Sequence, residues 1–494
     1  MPKRTAALEL SLPEREPDTP AYHWLYSALR AGVLEGRLRP GARLPSTRDL
    51  ARQYGLARGT VVNAFELLMS EGYISGSVGS GTYVSKVLPE EFLEAKRPED
   101  AKARAQRMPR RCVSSAARRT TLFTGFEQKP SRAFRPNVPA LDKFPTTLWA
   151  QIAARRVRRA PVSLLLGCDP MGYKPLREAV AHYLTTSRGV NCEAEQIAII
   201  SGVQEALEMT ARVLLDPGDR VCMEEPGYIG AGFVFDAFGA TVLPRALDIE
   251  GITIDEKKMR GAKLIYATPA HQFPLGITMS LPRRLNLLDW AARTGALIFE
   301  DDYDSEFRFS GRPVPALQGL DRNGVVLFAG SFNKALFPSL RLGYLVIPPD
   351  LVSYFEANQS LARRHAPLLD QAIVCDFITE GHFGRHVRRM REIYAERHSV
   401  LLDCARESLE GLLEVSTVEA GLQTVGWLKK GIRAERAAKA AAMQNVEVTP
   451  IGRFARGQVR REGLQLGFAA VDASEIRRGV RELGLVLQGL ARTP

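Results

Sequence analysis

The stretch GSFNKALFPSLRLGYLVIP, residues 330–348, decides how the chain reads. Ahead of it, Val325 to Ala329 form a short apolar run that predicts a buried strand ending at small residues. Lys334 follows that strand end, and seven positions later Arg341 opens a second apolar run. A lysine amine at a strand end is placed to form a Schiff base with a carbonyl compound, and a nearby arginine holds a phosphate through paired hydrogen bonds. An aldehyde that also carries a phosphate, pyridoxal 5'-phosphate, uses both groups. The same pair fits a surface Lys and Arg flanking a strand, so the choice rests on the other strand ends.

From Gln196 onward, apolar runs alternate with helical stretches: QIAIIS, VQEALEMTARVLL, RVCMEEP, KLIYATP, LPRRLNLLDWAARTG and ALIFEDD. That alternation predicts an α/β fold with a largely parallel sheet, which binds ligands at the carboxyl ends of its strands. Ser201-Gly202-Val203-Gln204 joins a strand to a helix N-terminus, whose free N–H groups favour an anion. Asp301 and Tyr303 lie two apart on an extended segment and so face one side, with Asp302 and Asp304 turned away in structural roles. A carboxylate at Asp301 keeps a pyridine nitrogen protonated, which preserves the ring as an electron sink. The Tyr303 hydroxyl is placed to bond the ring's phenolic oxygen, and Tyr228, in EEPGYIG, to stack on the ring. The acidic end of LIFEDD also fits the metal-binding strand of a nucleotide hydrolase, but that chemistry needs a GxxxxGK[ST] loop, which the sequence lacks.

The N-terminal part reads differently. Tyr22, Leu25, Leu29 and Val33 repeat at helical spacing, and Pro40-Gly41 marks a turn. Ser46 and Asp49 form a capping box that starts a second helix at Thr47, and Gly55 ends it. After a three-residue gap a third helix carries Val61, Phe65, Leu68 and Met69 on one face. This is a helix-turn-helix, with Arg58, Thr60 and Asn63 where a recognition helix meets DNA. Tyr73-Ile74 and Thr82-Tyr83-Val84 flank GSVGSG, a glycine-tipped hairpin. A three-helix protein-binding module is the alternative for the same pattern.

The 494 residues are too many for one ordinary domain, and 45% apolar with 25% charged is soluble-globular composition. No apolar run approaches a membrane span, and MPKRTAALELSLPERE lacks the apolar core of a signal peptide. Cys112, Cys168, Cys192, Cys222, Cys375 and Cys404 are scattered without CxxC spacing or a His cluster, as expected of reduced thiols in a cytoplasmic protein. The net charge of +12 raises nucleic acid as a partner. Residues 86–135 hold 13 Lys and Arg against 6 Asp and Glu, so the excess sits mainly in a connecting segment. The expected division is a tail over 1–17, a DNA-binding domain over 18–85, a mobile basic linker over 86–131, and the ligand-binding domain over 132–494.

LPSTRDLA, a turn, ARGTVVNAFELLMSEGYI and the glycine-rich hairpin together resemble the winged-helix domain of GntR regulators. That resemblance implies contacts to double-stranded DNA from Arg48, Arg58 and Thr60, and from Gly79 in the wing beside an apolar Val78. Residues 132–494 resemble class I aminotransferases of fold type I, through ATPAHQFPLGITMSLPRRLNLLDWA, EDDYDSEF and SFNKALFPSLRLGYLVIP. The conjunction resembles the MocR/GabR family of bacterial transcription regulators. It implies pyridoxal 5'-phosphate bound covalently by Lys334, its ring held by Asp301 and Tyr303, its phosphate by Val203, Gln204, Ser331 and Arg341, and Tyr228 stacked on it. It further implies a head-to-tail homodimer that binds an operator and senses a small amine, an amino acid-like compound or a vitamin B6 compound. An active aminotransferase with an appended DNA-binding domain, and a regulator that has dropped the cofactor, are the alternatives.

Four positions depart from the family pattern. Phe273 stands where working aminotransferases carry an asparagine, which leaves the ring oxygen largely to Tyr303. Asn333 replaces a serine before the lysine. In GFAAVDASEIRRGV, Ala470 stands where amino acid-binding relatives carry an arginine for the α-carboxylate, leaving Arg453, Arg456, Arg460 or Arg461 as substitutes. Gly167, in GCDPMGY, replaces a tyrosine that reaches the partner's phosphate. Of these departures, Ala470 and Phe273 favour a sensor over an enzyme.

Overall fold

The computed structural model describes residues 15, 19–77, 81–87, 112–123, 132–311 and 314–492. The chain divides into two units between Cys112 and Val113.

In the first unit, α1 (Ala21–Leu34), α2 (Thr47–Tyr54) and α3 (Arg58–Ser70) precede a hairpin of β1 (Ile74–Ser77) and β2 (Gly81–Val84), with Ile74 opposite Val84. Leu25, Leu29 and Val33 of α1 pack against Leu50, Val61, Phe65 and Leu68 in one apolar cluster. Tyr22 and Met69, expected on those faces, are 39% and 41% exposed, because each stands at the margin of an already filled stripe. Ser46 caps α2: its Oγ accepts from the Asp49 N–H at 3.2 Å and donates to Asp49 Oδ2 at 2.6 Å. Gly55, in the left-handed region at φ 64°, ends α2 and turns the chain into α3.

The second unit is built on a sheet of eight strands: β3 (Ile197–Ile200), β4 (Arg220–Glu225), β5 (Thr241–Asp248), β6 (Gly251–Ile252), β7 (Ala262–Ala267), β8 (Leu297–Asp302), β9 (Val326–Ser331) and β10 (Gly343–Val346). Their spatial order is β3-β10-β9-β8-β7-β4-β5-β6. The pairs linking β5, β4, β7, β8 and β9 are parallel. β3, β7, β8 and β9 are buried along nearly their whole length, the property of a sheet covered on both faces by helices. β10 runs antiparallel to both neighbours. Residues 332–342 between β9 and β10 are too few for the crossover of about a dozen residues or more that a parallel return needs. This reversal places the start of β10 at the edge where the parallel strands end.

A smaller antiparallel sheet, in order β11-β12-β14-β13, holds β11 (Leu413–Val415), β12 (Gln423–Leu428), β13 (Thr449–Pro450) and β14 (Gly463–Gly467). Leu464, Leu466 and Leu428 join the large apolar cluster formed with the long helix His382–Ser408 and the helix Ala473–Arg492.

Residues 113–123, from the stretch expected to be a mobile linker, fall in the second unit. They contain a short helix, Ser115–Arg119, capped by Ser114. Arg119 donates to the Ala237 carbonyl at 3.4 Å, and the Phe123 ring meets Tyr228 and Phe233 edge-on, each at 6.2 Å. An aromatic side chain with a ready apolar face anchors a stretch whose charge pattern alone predicts a tether. Residues 88–111 and 124–131, the rest of that stretch, lie outside the described residues. All six cysteines are free, and among the described residues no helix is long and apolar enough to cross a membrane.

Candidate cofactor site

Lys334 stands on a one-turn helix, Phe332–Ala335, that begins where β9 ends. Ser331 caps it, its Oγ accepting from the Asn333 N–H at 3.3 Å. β8 pairs with β9 so that Asp301 lies opposite Ala329 and Asp302 opposite Gly330, which brings the Asp301 carboxyl to the same sheet edge. Burial pushes the Lys334 amine down to about 8, against the pull of the Asp304 and Asp301 carboxyls. Burial likewise pushes Asp301 up to about 7, opposed by the Tyr266 hydroxyl, which donates to Asp301 Oδ2 at 2.7 Å, and aided by Asp302, Asp304 and Glu224. Desolvation disfavours both charges, so an amine of low basicity faces a carboxyl of high basicity. Lys334 Nζ donates to the Asn137 carbonyl at 2.8 Å.

The helix Val203–Leu214 opens at the carboxyl end of β3, with Gly202 at φ 136° as its N-cap. A Cβ at Gly202 would stand 3.0 Å from Asn333 Nδ2, so the turn is a cradle that a side chain would fill. Asn333 pins it to the lysine segment: Nδ2 donates to the Ser201 carbonyl at 3.4 Å, and Oδ1 accepts from the Leu342 N–H at 2.9 Å. Arg341, left-handed at φ 53°, precedes β10, whose Gly343 pairs with both Ile200 and Ser331. Gln204 Nε2 donates to the Tyr228 hydroxyl at 2.8 Å. Burial pushes that phenol up to about 12, while the Gln204 bond and the Arg341 charge pull it down and Asp301 pushes it up. The Tyr228 hydroxyl therefore bonds Gln204 and feels the charges of both Arg341 and Asp301. A helix N-terminus, an amide and a guanidinium at one end suit a phosphate, and a carboxyl and an amine at the other suit a pyridine ring and its aldehyde.

Aromatic side chains wall the site. Phe273 meets Tyr228 at 5.9 Å, Tyr303 at 5.8 Å and Phe454 at 5.0 Å, all edge-on. The family description "Aminotransferase class I and II" matches residues 137–483, and "Bacterial regulatory proteins, gntR family" matches residues 21–84. The probable rhizopine catabolism regulatory protein MocR of Rhizobium meliloti is 39% identical over 95% of this chain and 94% of its own. This chain belongs to the MocR-type regulators. The HTH-type transcriptional regulator TauR of Rhodobacter capsulatus is 31% identical over 94% of this chain and 96% of its own. Among solved structures, the alpha-aminoadipate aminotransferase LysN of Thermus thermophilus, complexed with N-(5'-phosphopyridoxyl)-L-leucine, matches with TM-score 0.67 and 30% identity, over 72% of this chain and 92% of that one.

Within this MocR-type chain the structure brings Lys334, Asp301, Tyr228, Val203, Gln204, Ser331 and Arg341 to one sheet edge. Tyr303 reaches the site in another posture: its hydroxyl lies 3.1 Å from His271 Nδ1, and its ring stacks on the His271 ring at 5.9 Å. Asp302 turns away as expected, paired with Arg188 at 2.9 Å. Asp304 does not turn away. It sits 3.0 Å from His271 Nδ1, and of the two carboxyls it raises the Lys334 pKa more. The reason is local: β8 stops at Asp302, and the chain bends through Tyr303 and Asp304, so strand alternation ends one residue too soon. Ala470 is buried in the large apolar cluster. Three of its supposed substitutes are engaged elsewhere, Arg453 with Glu435, Arg456 with Asp236 and Arg461 with Glu414. Gly167 is at φ 124°, where a tyrosine would be strained.

Sequence reasoning missed Asn137, Tyr266, His271 and Gln423. The signals were faint: a tyrosine inside the apolar strand KLIYATP, and a glutamine opening a strand of the small sheet. In the first unit Arg48 and Arg58 are exposed at the starts of α2 and α3, with Thr60 half-buried two residues after Arg58. Val78 and Gly79 lie outside the described residues. Arg43 reaches the loop end of the hairpin, where its guanidinium lies 2.8 Å from where a Gly81 Cβ would stand.

Proposed function

We propose that this MocR-type regulator holds pyridoxal 5'-phosphate at Lys334 and uses the loaded domain to sense a small amine, amino acid-like compound or vitamin B6 compound. The observation that carries the reading is the buried Lys334 amine with its basicity depressed to about 8, at the sheet edge shared with Asp301 and the Gly202 cradle. When bound, the group supplies an electrophilic carbon and an electron sink for amines. The residues do the rest. Lys334 presents an amine of lowered basicity, Asp301 would hold a proton toward the ring nitrogen, and Val203, Gln204, Ser331 and Arg341 would bind the phosphate. Tyr228 and Phe273 exclude water from the ring face. Tyr303, whose hydroxyl is directed to His271, would supply a hydrogen bond to the ring oxygen.

Arg48, Arg58, Thr60 and the Gly79 wing bind double-stranded operator DNA. One recognition helix reads few bases, so paired half-sites and a head-to-tail homodimer complete the assembly. Effector and DNA then affect each other's affinity reciprocally. An active aminotransferase remains the second reading, favoured by the likeness to LysN. It predicts both half-reactions of steady-state transfer, and failure across a broad panel of amino and oxo acids removes it.

The test is the visible absorption of the purified protein loaded with pyridoxal phosphate. Wild type is expected to be coloured, and Lys334→Ala to lose the band while keeping its far-UV circular dichroism. A band that survives in Lys334→Ala overturns the reading.

A further inference from the structure

Gln423 and Gln465 lie on the face of the small sheet turned away from the helices. Leu464 and Leu466, on either side of Gln465 in β14, join the apolar core, so alternation sends Gln465 to the opposite face. Gln465 pairs with Val425, and Gln423 pairs with Gly467, which makes the two amides diagonal neighbours on that face. The face meets the cofactor site. Asn137 N–H donates to Gln423 Oε1 at 2.9 Å, and the Asn137 carbonyl accepts from Lys334 Nζ at 2.8 Å. The Gln423 amide also lowers the pKa of the Tyr303 hydroxyl, against the larger rise from burial. Gly467 lies under the same strap, where a Cβ would stand 2.1 Å from the Arg135 carbonyl oxygen.

Gln465 is fully buried, and neither its Oε1 nor its Nε2 has a hydrogen-bond partner; Gln423 Nε2 makes no bond of hydrogen-bond geometry either. Buried amides left this way are costly and rare. An acceptor and two donors side by side are the complement of hydroxyl groups, each of which donates and accepts. A carboxylate only accepts, so it leaves Gln465 Oε1 facing an oxygen and brings a negative charge toward Asp301 and Asp304. Four basic side chains on the surrounding elements are committed: Arg397 to the Ala469 carbonyl and Asp142, Arg135 to Glu447, Arg453 to Glu435, Arg461 to Glu414.

We propose that Gln465 and Gln423 form the recognition end of the effector site, and that they select a primary amine bearing hydroxyl groups over one bearing a carboxylate. This rests on the reading of Lys334 as the anchor of pyridoxal phosphate. Residues 135–137 cover Gln465's face and hold Lys334, so the ligand takes over from that strap at both ends.

The test titrates the loaded full-length protein with glucamine, hexylamine and 6-aminohexanoate, three primary amines of equal chain length. Binding is read from the visible band and, on the cofactor-free protein, by calorimetry. Glucamine is expected to bind about tenfold more tightly than either other amine, the worth of one or two net hydrogen bonds. Gln465→Leu is expected to erase that margin, and Gln465→Arg to turn the preference to 6-aminohexanoate, a gain that misfolding cannot mimic. Equal or tighter binding of 6-aminohexanoate by wild type overturns the proposal, as does a coloured protein that ignores glucamine. A colourless wild type instead fails the underlying reading of Lys334.

Discussion

Lys334 owes its chemistry to burial more than to its neighbours. Two carboxyls nearby raise its affinity for a proton, yet desolvation outweighs them and leaves the amine at about 8. At pH 7 roughly a tenth of such amines are unprotonated, against fewer than about one in a thousand for an ordinary lysine. The rate at which apoprotein captures pyridoxal phosphate is therefore expected to rise with pH through a midpoint near 8. Stopped-flow absorbance across pH 6 to 10 reads this directly, and a midpoint near 10 contradicts the burial argument. Asn333 shows the opposite case. It looks like a mild replacement for serine in the sequence, yet its two amide atoms tie the Ser201 turn to Leu342.

At the scale of the element, the end of each strand matters more than its middle. Next to last in β9 is Gly330, where a Cβ would lie 2.3 Å from the Tyr344 ring. Gly330→Ala is expected to destabilise the second unit by about 1–3 kcal/mol through overpacking, measured as a lower denaturant midpoint. β8 ends at Asp302, and that one early stop turns Asp304 toward His271 and the lysine. In the first unit, α3 begins at Arg58, exposed at the helix N-terminus. Arg58→Ala is expected to weaken operator binding and reduce the salt-dependence slope by about one if the side chain meets a phosphate. Fluorescence anisotropy at several salt concentrations checks it, and an unchanged slope assigns Arg58 to base edges or to no contact.

Over the whole second unit, buried carboxyls accumulate at the carboxyl edge of the sheet. Burial pushes Glu224, Glu300 and Asp301 up to about 7 and Glu306 to about 8. An acid whose folded pKa is raised binds its proton more tightly than the unfolded chain does, so stability falls as pH rises toward the folded value. His398, pushed down to about 4 by burial, acts in the other sense, but only below its ordinary 6.5, and Lys334 acts only above about 8. Between pH 6.5 and 8 the carboxyls act alone among these groups. The apoprotein's second unit is expected to melt a few degrees lower at pH 8 than at pH 6.5. Calorimetry that finds no fall over that window contradicts the assignment.

Much of this architecture was legible in the chain itself. Apolar periodicity, the Ser46 cap and the glycine positions determined the helix-turn-helix, because those signals act within a few residues. Alternating apolar runs determined the α/β layer, and residue types at strand ends determined Lys334, Asp301, Tyr228 and Arg341 as one set. Tertiary structure alone decided what depends on contacts between distant segments. Asn137 reaches Lys334 from nearly 200 positions away in sequence. Tyr266 meets Asp301 through strand pairing, and Gln423 and Gln465 share a face through the register of the small sheet. A glutamine inside an apolar strand carries no local mark of which side it faces. Only the packing of Leu464 and Leu466 into the core turns Gln465 toward the site.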